Sequence, residues 1–244
     1  MRLFRGVMAV AMLVGLVGPA AAQTQGKFKF VSGNPYPTQP TISVPGSGTY
    51  YTSIYKGQFL SGVPGNPTVD IFCVDFFREV RVGDQWDAWF SPLSGDLSNT
   101  YGMSQRNWSQ DIAAERYRAA AWLATQFGDP MNTADKAKWP TYQAAIWSLM
   151  GKSADGTTTA FSLTGFSDPL KTNAQTALND ALAGGNTDAF KAQAGSWTII
   201  SDVNATKQEF LTQQSVVPEP ETVILLVTGL MALGAVAYFR GFSA

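Results

Sequence analysis

The chain has 244 residues, with 17 basic and 18 acidic side chains, one cysteine and no histidine. The lack of histidine removes Ser-His-Asp and Cys-His catalysis, and the usual zinc and copper sites, in one observation. A near-neutral balance with no basic run argues against a nucleic-acid partner.

In chain order, residues 1–22 read as a signal peptide. Arg2 and Arg5 are followed by an apolar run from Val7 to Val17 and by the small residues Ala20, Ala21 and Ala22, as a signal peptidase requires. The run is shorter than the about 20 residues of a permanent span, so the mature chain is expected to begin at Gln23. Residues 23–213 form the body, long enough for one domain with a substantial core. Setting aside Arg2, Arg5 and Arg240 leaves 14 basic residues, and setting aside Glu219 and Glu221 leaves 16 acidic ones, so the mature charge is near −2.

The body opens with strand patterns between Gly, Pro and Asn turns: KFKFV, TYYTSIYKGQFL, DIFCVDFFREVRV and QWDAWF. Gly83-Asp84 between the last two predicts a two-residue hairpin. Helical periodicity follows over 111–127, with Ala113, Tyr117, Ala120, Ala124 and Phe127 on one face. A second helix starts near Pro140 and stops at Gly151. A third opens at Asp168-Pro169 and carries Leu170, Ala174, Ala177, Leu178 and Ala181. Strand character returns at 196–203 and 208–212. This order predicts an α+β fold: an N-terminal β-sheet or sandwich region, a helical region and closing strands.

Residues 214–222 form a linker, 223–240 a C-terminal transmembrane helix and 241–244 a short tail. Val223 to Phe239 carry no charge, and seventeen residues reach about 26 Å as a helix. Arg240 would remain cytoplasmic, with Pro218-Glu219-Pro220 outside. Val217-Pro218-Glu219-Pro220, the apolar helix and Arg240 resemble the PEP-CTERM sorting signal, with one arginine where that family usually has a cluster. The resemblance implies processing by an exosortase, transient residence in the inner membrane and a destination at the cell surface or outside. A plain C-terminal membrane anchor is the alternative.

Candidate chemistry in the body is sparse. Asp70, Asp75, Glu79, Asp84 and Asp87 could supply a glycosidase pair, although solvated strand faces and turns explain them more simply. Trp86 and Trp89 could touch glycans, with core packing favoured. No metal or cofactor is expected, and no enzymatic activity.

Cys73 lies in Ile71-Phe72-Cys73-Val74-Asp75-Phe76-Phe77, apolar on both faces except at Asp75, and is expected to be buried. Gln143, Ile146, Trp147 and Met150 share one helix face at i, i+3, i+4 and i+7. A glutamine in that stripe needs a partner, because an unpaired buried amide costs roughly 1–3 kcal/mol. A lone buried Cys and a core-facing Gln are the components of an internal thioester. Phe72-Cys73-Val74-Asp75 and Gln143-Ala144-Ala145-Ile146-Trp147 resemble the two motifs of thioester domains in bacterial surface adhesins, with Tyr142 where a Thr commonly precedes the Gln.

This resemblance implies a mixed strand-and-helix fold and covalent capture of an amine or hydroxyl ligand, with Asp75 and Trp147 in supporting positions. Asp75, if ionised on the same strand face as Cys73, would disfavour the thiolate. The alternative is a structural Cys beside a helix whose Gln caps a strand carbonyl. The sequence therefore points to an exported adhesion or exopolysaccharide-associated matrix protein, with a purely structural matrix protein as the competing class. Peptide mapping of exported material is expected to find Gln23 at the N-terminus and no peptide containing Arg240; recovery of Met1 or Arg240 peptides would refute the terminal assignments.

Overall fold

A computed structural model describes residues 23–33, 35–36, 39–153, 161–214 and 228. The signal peptide, the sorting motif Val217 to Pro220 and Arg240 lie outside these residues, as does all of the expected transmembrane helix except Thr228. No helix of the described residues is long and apolar enough to cross a membrane.

Eight strands and six α-helices make up the described body. The strands are β1 (Thr24–Ser32), β2 (Thr41–Val44), β3 (Gly48–Tyr51), β4 (Tyr55–Phe59), β5 (Thr68–Cys73), β6 (Gln85–Pro92), β7 (Thr198–Asp202) and β8 (Phe210–Thr212). The helices are α1 (Tyr101–Ser104), α2 (Gln110–Thr125), α3 (Thr133–Lys136), α4 (Trp139–Met150), α5 (Leu170–Gly184) and α6 (Asp188–Gln193). Six strands close into a barrel in the order β1-β4-β5-β8-β7-β6, and β2 and β3 form a separate hairpin. The α+β class holds, but the sheet is a barrel and not a sandwich. Closure depends on β7 and β8 returning after the helices and filling the gap between β6 and β5.

Period-two alternation selects the inward residues. In β1, Phe28 and Phe30 are buried while Lys27 is exposed and Lys29 is half-buried. Phe28 pairs in register with Phe59 on one side and Trp86 on the other, and its ring meets both edge-on at 5.2 and 5.4 Å. Trp86 therefore belongs to the core. Lys27, Lys56 and Lys207 reach Asp87, Asp70 and Asp84 at 3.9, 2.5 and 2.7 Å, so three of the five candidate carboxylates engage lysines.

Three strand expectations fail for local reasons. The run from Asp70 to Val82 leaves the sheet after Cys73, where the Asp75 carboxylate takes the Phe77 amide and curls the chain. The Gly83-Asp84 turn does not join β5 to β6 as a hairpin. Its Gly83 amide donates to Phe30 O and its Asp84 carbonyl accepts from Phe30 N, which leads β6 into pairing with β1. The long segment through Thr52 is also divided into β3 and β4, with Thr52 donating through both its amide and hydroxyl to Pro40 O.

The helices follow their sequence signals closely. Ser109 caps α2 through the Ile112 amide, Pro140 occupies the first turn of α4 and Gly151 ends it. Helices α2, α4 and α5 pack against one another. The expectation of a single apolar stripe on α4 is too narrow: every residue from Gln143 to Met150 is buried. Ile146 and Leu149 join the helical core, whereas Ala144 and Trp147 join the barrel core with Phe28, Cys73 and Phe210.

Glu209, just before β8, ties the two layers together. Its buried carboxylate accepts hydrogen bonds from the Tyr101 amide at 2.7 Å, the Tyr117 hydroxyl at 2.6 Å and the Ser201 hydroxyl at 2.6 Å. Glu209→Ala is expected to destabilise the fold by about 3 kcal/mol or more, because three buried donors lose their acceptor. Glu209→Gln retains one carbonyl acceptor and is expected to lose less; equal urea midpoints for wild type and Glu209→Ala would show that the carboxylate is dispensable.

Candidate functional site

The site lies where β5 stops. Alternation along β5 turns Phe72 towards the helical core and Cys73 towards the barrel core. Cys73 pairs in register with Phe210 and is 1% exposed. One layer away, Gln143 is fully buried, and its Nε2 donates to Cys73 O at 2.8 Å. The two expected residues, 70 positions apart, are thus in direct contact.

The polar groups around this contact are incompletely paired. Cys73 Sγ donates to Asp75 O at 3.2 Å, an oxygen that also accepts from Gln208 Nε2 at 3.2 Å. Gln143 Oε1 and Trp147 Nε1 are buried and have no hydrogen-bond partner among the described residues. The Trp147 indole N–H is near enough to the sulfur to favour its thiolate, but without the geometry of a full hydrogen bond. Unpaired buried polar groups are uncommon in native proteins and recur where chemistry is performed.

Burial dominates the sulfur's acidity. It pushes the Cys73 thiol up from 9.0 to about 12, with Trp147 opposing the rise and the Asp75 and Glu209 charges reinforcing it. Burial, and then Cys73 beside it, also raise the Tyr55 phenol. Asp75 does not share a strand face with the sulfur. It stands beyond the end of the strand, fully buried, with Arg78 Nη1 at 2.9 Å and Arg106 Nη2 at 3.3 Å. Both arginines, Gln208 and Glu209 escaped the sequence reading: Arg106, Gln208 and Glu209 are distant in the chain, and Arg78, although only three residues after Asp75, sits in no recognisable motif.

An aromatic cluster covers the contact. Trp147 packs against Phe76 at 5.0 Å, Phe161 at 5.5 Å and Tyr50 at 6.1 Å. Tyr50, Phe76 and Trp147 also line an open cleft of about 380 Å³, together with Phe77, Arg78 and Gln208. Solvent therefore reaches the outer side of this aromatic wall, and the sulfur lies behind it. Among the described residues no cluster of three or more acidic, Cys or His side chains is suited to a metal.

In a Gln143→Ala variant, which cannot crosslink, the folded thiol is expected to resist alkylation at pH 8. A rise from 9.0 to about 12 lowers the thiolate fraction by about a thousandfold. The folded state holds this proton more tightly than the unfolded state, so the associated stability is full below pH 9 and disappears as pH rises towards about 12. Alkylation of the folded variant as fast as of the unfolded chain would contradict this burial.

No family model and no curated protein match the chain. Its fold is similar to two solved structures. The N-terminal thioester domain of a surface protein from Clostridium perfringens matches with 10% identity and a TM-score of 0.38, over 77% of this chain and 98% of that one. The N-terminal thioester domain of the fibronectin-binding protein SfbI from Streptococcus pyogenes matches with 12% identity and a TM-score of 0.39, over 82% of this chain and 96% of that one.

Proposed function

We propose that this chain is an exported surface or extracellular-matrix protein whose barrel-and-helix body forms an internal thioester between Cys73 and Gln143. The observation that carries this reading is the buried contact of the Gln143 amide with the Cys73 main chain. Two partnerless polar groups, Gln143 Oε1 and Trp147 Nε1, accompany it. Formation joins Cys73 Sγ to the Gln143 carbonyl carbon and breaks the C–N bond. The thiol proton leaves with the amide nitrogen as ammonia. Attack by an amine or hydroxyl ligand then gives an amide or ester on Gln143 and returns the proton to the sulfur. The wall of Trp147, Phe76 and Phe161 supports this chemistry by keeping water from the activated acyl group.

In this reading the protein serves adhesion or exopolysaccharide association. An exosortase processes the Val217-Pro218-Glu219-Pro220 tail after a transient stay in the inner membrane. A second reading has support from one observation: Gln143 capping the Cys73 carbonyl is also what a purely structural matrix protein would use. That arrangement satisfies the amide nitrogen but leaves the carbonyl oxygen of the same side chain unpaired, which is why the thioester is preferred.

Intact-mass measurement separates the two. Freshly folded protein is expected to be lighter than its sequence by about 17 Da, with a thiol that resists alkylation even when denatured. Methylamine should restore the thiol and remain attached at Gln143. Cys73→Ala should abolish the deficit and the adduct. Gln143→Ala should do the same and cost about 4 kcal/mol, by analogy with a disulfide closing a loop of this length. Full sequence mass with an alkylatable Cys73 in quickly purified, denatured protein would leave the structural reading standing.

A further inference from the structure

The aromatic wall over Cys73 has one panel that is mounted differently from the rest. Trp147 belongs to α4, which is buried from Gln143 to Met150. Phe76 follows Asp75, whose carboxylate is held by Arg78 and Arg106. Tyr50 comes instead from the β2–β3 hairpin, whose strands pair with each other and with no strand of the barrel.

The hairpin is fixed at its base and open at its tip. At the base the Thr52 amide and hydroxyl both donate to Pro40 O, and the Tyr55 hydroxyl donates to Tyr51 O at 2.8 Å. Residues 45–49 at the tip are exposed, and a side chain added at Gly46 would meet nothing within 4 Å. Among the described residues, no hydrogen bond joins residues 42–50 to the barrel or the helices. Packing alone seats them. Ile42 is buried in the barrel core, Val44 and Tyr50 rest against that core, and Pro45 lies against Gly165. The Tyr50 ring meets Phe76 edge-on at 5.0 Å and Trp147 at 6.1 Å, while its hydroxyl stays with Ser47 of the same hairpin. An element held by a few apolar contacts, without a hydrogen-bonded ladder to the sheet, opens at a lower free energy than the sheet itself.

We propose that the β2–β3 hairpin is a flap and that Tyr50 is the residue by which it closes the way to the sulfur. With Tyr50 seated, the cleft bordered by Ser47, Tyr50, Phe76, Trp147 and Gln208 ends at the aromatic wall. When the flap lifts, the wall loses its Tyr50 panel and the cleft deepens towards Trp147 and the sulfur behind it. Closure keeps water and stray nucleophiles from the acyl group, and lifting admits the ligand. Tyr50 thereby sets the size of the nucleophile that enters. The proposal rests on the thioester reading for its purpose, whereas the flap is a property of the fold and is tested without that bond.

The test follows alkylation of Cys73 in the folded, mature Gln143→Ala protein, where no crosslink forms. Adding Tyr50→Ala should speed alkylation at least about tenfold, with a larger gain for a bulky maleimide than for iodoacetamide. Tyr50→Phe keeps the ring and should restore most of the protection. Ser47→Cys and Glu79→Cys, on opposite sides of the same cleft, can be bridged by a short thiol crosslinker before Cys73 is probed. The bridge should hold the flap down and slow alkylation at least about tenfold. With Gln143 present, Tyr50→Ala should also narrow the difference between capture of methylamine and of the bulkier adamantylmethylamine. Alkylation unchanged by both Tyr50→Ala and the bridge, or accelerated as much by Tyr50→Phe as by Tyr50→Ala, would overturn the flap. So would an acceleration that climbs steeply in low urea, because that dependence reports global unfolding. Full sequence mass in the wild type would refute the thioester and leave the alkylation result standing, so the two readings fail separately.

Discussion

Burial of α4 on every side is the constraint from which the rest of the site follows. A helix on the surface of a domain has a wet face on which a glutamine amide can be solvated. This one is held between a helical core containing Ile146 and Leu149 and a barrel core containing Ala144 and Trp147. Gln143 has no route to water and must find its partner within the protein. It donates to the last residue of β5, where the strand stops and the Cys73 carbonyl accepts from it.

Strand termination and chemistry are therefore linked. Had β5 continued through Asp75, the Cys73 carbonyl would have been placed in a ladder and Asp75 on the side of the sheet occupied by the sulfur. Instead Asp75 turns to Phe77, Arg78 and Arg106, and its carbonyl accepts from the thiol. Burial holds the thiol's pKa up, and the indole of Trp147 and the main chain at Asp75 oppose that rise. Such a thiol is shielded from solvent, and the Gln143 amide lies against the main-chain carbonyl of the same residue.

The barrel supplies the rigidity this arrangement needs. Its last two strands arrive only after the helices have been built, so sheet closure and helix packing cannot be completed separately. Glu209 expresses that coupling: its side chain binds α1, α2 and β7, and its carbonyl accepts from the Val74 amide immediately after Cys73. A carboxylate without a direct ion-pair partner is tolerated there because three donors surround it, although burial still pushes its pKa up.

Much of this was legible in the chain itself. The positions of β1, β6, α2, α4 and α5 follow from alternation, 3.6-residue periodicity, Pro140, Gly151 and Gly184, because local backbone preferences and one-sided burial leave direct marks on sequence. The pairing of Cys73 with Gln143 was also readable, since a polar residue in an apolar stripe and a lone buried thiol each require an explanation. Tertiary structure alone decided barrel over sandwich, the burial of both faces of α4 and the gathering of Arg106 and Glu209 around the site. These features depend on which distant segments meet, and a residue's own neighbours in sequence carry no record of a partner about a hundred positions away. Loop closure across such distances is set by the sum of the packing, and local preference does not encode it.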